Sequence, residues 1–135
     1  MPFELLVRPG ENLARIRGFG PDDFASTNAA LQSIASDPRL KPGVPVLMDV
    51  RELDYLATPP EVSAFTAPDS LPPVFNGRRV AILSRRGAQF GVARTFAAKA
   101  EHVGAQVEVF TEADLALAWL AGGTIRPFAG FPEKK

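Results

Sequence analysis

Ser84-Arg85-Arg86-Gly87 is the stretch best equipped to hold an anion. It falls between a short apolar run and a helical pattern. Free N–H groups at the helix N-terminus and two guanidinium groups there can converge on a phosphate or carboxylate. The competing reading is a solvated loop whose arginines form weak surface ion pairs. Gly87 and Gly91 match neither GxGxxG nor a P-loop, so a nucleotide cradle is not expected. A second polar group gathers around Asp49, with Arg51, Glu52, Asp54 and Tyr55 read as lying just beyond the end of an apolar strand. Ligands of open α/β sheets bind at the carboxyl ends of strands, which makes this rim a candidate interaction surface. A loop of local ion pairs is the alternative. As a phosphoacceptor, Asp49 would need an acidic pair after the first strand and a lysine after the last. Both are missing, which leaves it as a strand-end hydrogen-bond acceptor.

His102 is the one histidine in the chain, and the apolar stripe of its helix places it on the outer face beside Glu101. No second ligand stands at a metal-binding spacing from it. Ser26, Ser63 and Ser84 have no visible base to activate them, and no GxSxG elbow is present. Catalytic residues, metal and cofactor are therefore not expected, and the chain reads as a binding protein and not an enzyme.

The 135 residues have room for one domain, which at this size buries roughly two thirds of its unfolded surface. Fifteen basic residues balance fifteen acidic ones, so no overall field draws the chain to nucleic acid or anionic lipid. Cysteine is absent, which excludes disulfides and thiolate metal sites and suits a reducing, cytoplasmic setting. The N-terminus does not read as a signal peptide, and no apolar stretch approaches the ~18 residues of a spanning helix, so membrane insertion is not expected.

Apolar runs at Phe3 to Val7 and Ala14 to Phe19 flank a Pro9-Gly10 turn and predict an antiparallel hairpin, with Arg15 and Arg17 on a wet face. Gly20-Pro21-Asp22-Asp23 reads as the start of a helix running to about Ser36, with Phe24, Leu31, Ile34 and Ala35 as its stripe. Val44 to Val50 and Val80 to Leu83 read as buried parallel strands. Pro60-Glu61 opens a short helix carrying Val62 and Phe65. A longer helix follows Gly87, with Phe90, Ala93, Phe96, Ala97, Ala100 and Val103 inward. Gln106 to Val109 alternates as an edge strand. Thr111 is placed to cap a last helix bearing Leu115, Trp119 and Leu120. The pattern gives one domain over residues 1–123 and a tail over 124–135. The tail holds Pro127, Phe128, Phe131 and Pro132, and would pack back or swap onto a neighbour in a homodimer.

This order of elements, with Val46-Leu47-Met48-Asp49-Val50-Arg51-Glu52-Leu53 in its middle and Val109-Phe110-Thr111-Glu112 through Ala118-Trp119-Leu120 at its end, resembles the STAS or SpoIIAA-like family. The resemblance spans nearly the whole chain up to the tail. It implies an α/β fold in which a hairpin leads into a mostly parallel sheet of four to five strands. About four helices would pack mainly on one side. It also implies a bacterial regulatory module that docks on a kinase, sensor or transporter. Antagonist-type members carry a phosphorylated serine or threonine in an Asp-Ser-Ser/Thr-Gly turn. Thr58 falls at that position, but Ala57 replaces the acid and Pro60 the glycine, and the alternative role of Thr58 is to cap the short helix. The expected docking surface runs from Arg51 to Glu61. The other functional reading is a small-anion or metabolite site at Asp49, Ser84, Arg85 and Arg86.

Overall fold

The computed structural model describes residues 3–122, so the tail expected to swap lies outside the described residues. Its elements are β1 (Phe3–Leu6), β2 (Ala14–Pro21), α1 (Phe24–Ala35), β3 (Val46–Asp54), α2 (Pro59–Thr66), a 3-10 turn (Pro73–Phe75), β4 (Arg79–Leu83), α3 (Ala88–His102), β5 (Gln106–Phe110) and α4 (Ala113–Leu120). The strands form one sheet in the order β1-β2-β3-β4-β5. β1 runs antiparallel to β2, and every later pair is parallel. A strand that returns parallel to its neighbour needs a crossover, and helices supply it.

Alternation in β2 sends Ala14 and Ile16 into the core and Arg15 and Arg17 outward. Gly18 stays small for a packing reason: a Cβ there would stand 2.8 Å from the Phe3 ring. β2 also continues through Gly20 and Pro21, which the sequence reading gave to the helix. The cap is Asp23, whose carboxylate accepts the Ser26 N–H at 2.8 Å. After α3 the chain turns at Gly104, whose φ of 97° is left-handed backbone that glycine adopts without strain.

Helices cover the two faces of the sheet unequally. α1 and α3 bury Leu31, Ile34, Ala93 and Ala97 against Ile16, Met48, Val80 and Val107 in the larger core. α2 joins that side through contacts with α3 and the edge-to-face rings of Phe24, Phe65 and Phe96. The smaller core lies on the opposite face, where α4 sets Ala116, Trp119 and Leu120 on Leu47, Ala81 and Leu83. Two residues expected inside are not: Val103 is 40% exposed and Leu115 is 60% exposed. Val103 is the C-cap of α3 and no longer follows its stripe, while α4 buries the ridge through Ala116, Trp119 and Leu120 and turns Leu115 away. Glu112, not Thr111, is the N-cap of α4, and its side chain makes no capping bond.

Candidate functional site: a rigid turn over an apolar cavity

β3 is longer than its sequence pattern suggested, and the difference decides how the polar residues are arranged. Arg17 pairs with Asp49 and Phe19 with Glu52, so two steps along β2 match three along β3. Such a bulge re-aims side chains and lets the strand continue. Arg51, Glu52 and Asp54 therefore lie within β3 and not beyond it, and Asp49 sits mid-strand. Asp49 Oδ1 accepts the backbone N–H of Arg51 at 3.0 Å, and its carboxylate takes the Arg51 guanidinium at 3.0 and 2.8 Å. Burial pulls the Asp49 carboxyl up, but these bonds and the nearby Arg17 outweigh it and hold the group below its ordinary value. Arg17 also meets Glu52 at 2.6 Å and lies over the Phe19 ring at 4.4 Å.

Pairing of β3 with β4 ends at Asp49 and Leu83. Beyond that point the carbonyls on this side of β3 have no strand neighbour, and side chains from the next connection take over. Gln89 Nε2 donates to the Val50 carbonyl at 2.7 Å, and the Arg85 guanidinium donates to the carbonyls of Arg51 and Leu53 at 2.5 and 3.2 Å. Gln89 Oε1 in turn accepts the Arg85 N–H at 2.6 Å. The candidate anion loop is thereby divided. Ser84 is buried, with its hydroxyl on the Arg85 carbonyl, and Arg85 is turned back onto β3. Arg86 points outward to Glu112 at 3.4 Å, and Gly87 opens α3 with no side-chain cap. Sequence reasoning missed Gln89. Its signal was a polar residue one turn ahead of Ala93 on the buried stripe. Replacing Gln89 with leucine strips an acceptor and a donor from half-buried partners, and is expected to cost about 1–3 kcal/mol by urea unfolding.

The turn after β3 is built from a second set of bonds. Thr58 is the N-cap of α2 and forms a capping box: its hydroxyl accepts the Glu61 N–H at 3.3 Å, and Glu61 accepts the Thr58 N–H at 3.0 Å. Glu61 Oε1 also accepts the Tyr55 hydroxyl at 2.9 Å. The Thr58 N–H, followed by the Tyr55 hydroxyl, holds the Glu61 carboxyl below its usual range. Burial first, then the Glu61 hydrogen bond and the charges of Asp22 and Asp23, push Tyr55 far above the ordinary phenol value. Leu56 is 46% exposed at the crest of this turn.

Beside the turn lies an apolar cavity of about 120 Å³, open to solvent, between the sheet and α1, α2 and α3. Leu31, Met48, Val50, Phe65, Phe75 and Phe96 line its walls, and Tyr55, Leu56 and Ala57 lie on the turn side. The expected docking residues thus separate into two groups. Arg51 and Glu52 join Asp49 and Arg17 around a groove on the sheet face that bears α4. Tyr55 and Glu61 belong to the turn over the cavity.

No family model matches the sequence, and no curated protein does. The backbone does match a solved structure: an uncharacterized protein of the DUF3478 family from Shewanella loihica PV-4, described as having a SpoIIAA-like fold. The match has a TM-score of 0.53 at 17% identity and covers 87% of this chain and 91% of that one. The fold is SpoIIAA-like. The SpoIIAA-like arrangement accounts for the antiparallel entry hairpin, the parallel strands and the four helices together, as the resemblance implied. Among the described residues no helix is long and apolar enough to cross a membrane.

Proposed function

We propose that this chain is a non-catalytic binding module of STAS type that docks a protein partner on the turn from Tyr55 to Glu61. The observation that carries this reading is Leu56, an exposed leucine on a turn fixed by the Tyr55–Glu61–Thr58 bonds. A pre-ordered apolar anchor loses little freedom on binding. Asp22, Asp23, Asp54 and Glu61 gather negative charge near it, which suits a partner with an apolar pocket bordered by basic residues. Thr58 fits the same reading as a switch. A phosphate on its hydroxyl would stand against the Glu61 carboxylate and open the capping box by like-charge repulsion.

The test is quantitative binding to a purified partner first captured with the intact protein. Leu56→Asp is expected to weaken binding by at least about tenfold. Leu115→Asp, an exposed leucine on the opposite face, should leave it unchanged. Indifference to Leu56→Asp, or equal loss in both variants, overturns the reading.

The cavity favours a second reading, a small apolar ligand. At about 120 Å³ it is below the roughly 300–1,000 Å³ of metabolite pockets and close to the ~150 Å³ that admits benzene in an engineered core. It suits a single ring or short aliphatic group and not an anion. Stabilisation by benzene but not by phosphate in a thermal-shift titration supports it; the reverse result restores the anion reading.

A further inference from the structure

β5 is the last strand of the sheet, with β4 as its one neighbour. The Phe110 carbonyl accepts the Ser84 N–H at 2.8 Å, so the backbone groups of Phe110 face β4. Successive residues of a strand turn their N–H and C=O to alternate sides, so Val107 and Val109 present theirs outward. Among the described residues nothing pairs with that edge. Beside it, a groove of about 600 Å³ runs along the outer edge where α3 lies on β5. Its helical wall has the small Ala98 in the middle, with Arg94 toward one end and Glu101 toward the other. A two-fold axis through the groove brings Arg94 of one copy toward Glu101 of the next, so the wall is complementary to itself.

Glu108 stands between the two outward-facing valines. Its side chain forms no ion pair or hydrogen bond among the described residues. When Val107 pairs with Val109 of a second copy and Val109 with Val107, the two Glu108 residues meet in the non-hydrogen-bonded position, where Cα atoms approach to about 4.5 Å. Like charges directly opposite are destabilising, and a charge on an edge strand is a common guard against unwanted pairing.

We propose that β5 is a self-association edge guarded by Glu108: a second copy of this chain adds antiparallel at Val107 and Val109 once the Glu108 carboxylate is protonated. Glu108 pairs with Ala81 and so turns its side chain to the sheet face that bears α4; Arg94 and Glu101 of α3 act on it across the sheet edge, where Lys99 and His102 also line the groove. Arg79 of β4 lies on the same sheet face and is engaged with Trp119, and α4 carries Glu112 and Asp114 at its start. Burial, then the nearby Glu101, raise the Glu108 carboxyl above its ordinary value, and Arg94 opposes them. Crowding two such groups together raises it further, so the dimer forms as pH falls and is lost as pH rises.

Sedimentation of the full chain reads the mass directly. The wild type is expected to be a monomer at about pH 8 and to double in mass at about pH 5. Glu108→Gln should be a dimer at both values. Adding Val109→Pro, which removes an outward N–H and no internal ladder bond, should return a folded monomer at both. His102→Gln keeps the pH response of the wild type and so separates Glu108 from the histidine. The proposal fails if Glu108→Gln remains a monomer, if the dimer survives Val109→Pro, or if His102→Gln abolishes the response.

Discussion

Phe75→Ala is expected to lower stability by about 3–5 kcal/mol, and benzene should restore part of that loss. Phe75 is almost fully buried on the 3-10 turn, 5.1 Å from the Phe96 ring between centroids, and forms one wall of the apolar cavity. Truncation removes the ring's contacts and joins the new void to the existing one. The surrounding walls come from a sheet and three helices, which limits collapse, so the cavity term should be close to its full size. Urea unfolding gives the loss, and a thermal-shift titration with benzene in wild type and variant gives the rescue. A larger shift in the variant than in the wild type shows that the enlarged void takes an apolar guest. A loss below about 1 kcal/mol would mean that the helices close over the gap, and the ligand reading would fail with it.

The second large effect belongs to the opposite face. Trp119→Ala should cost about 3–5 kcal/mol, whereas Leu115→Ala, one turn earlier on the same helix, should stay within about 0.5 kcal/mol. Trp119 packs 6.0 Å from the Phe110 ring, carries the Arg79 guanidinium 4.7 Å above its own ring, and accepts a short hydrogen bond from Arg79 through its carbonyl. α4 has eight residues, too few to persist alone in water, so its order depends on this packing. Comparable losses from the two substitutions, measured by urea unfolding, would show that α4 is not held by its tryptophan ridge.

Much of the architecture follows from local pattern. Alternation at Ala14-Arg15-Ile16-Arg17 marks a half-wet strand, the continuous runs at Val46–Met48 and Val80–Leu83 mark buried parallel ones, and Pro9-Gly10 and Gly104 mark turns. These signals depend on neighbours in the chain, as does the capping box of Thr58 and Glu61, whose members stand three residues apart. The sequence by itself determined the element order, the fold class and the entry to α2 at Thr58.

Tertiary structure decided what the polar residues do there. The β3 bulge exists because β2 and β3 pair out of step, and residues as far apart as Arg17 and Asp49 or Phe19 and Glu52 must meet before it can be seen. Once β3 outruns β4, the carbonyls of Val50, Arg51 and Leu53 need donors, and Arg85 and Gln89 supply them. Two residues whose types suggested ligand binding and a stray polar position are thereby made structural. Leu115 and Trp119 share one apolar pattern, and only the angle at which α4 lies on the sheet sets one in the core and the other in water. The cavity beneath Leu56 has the same origin, since its walls come from the sheet, three helices and the 3-10 turn, and no window of sequence contains them together.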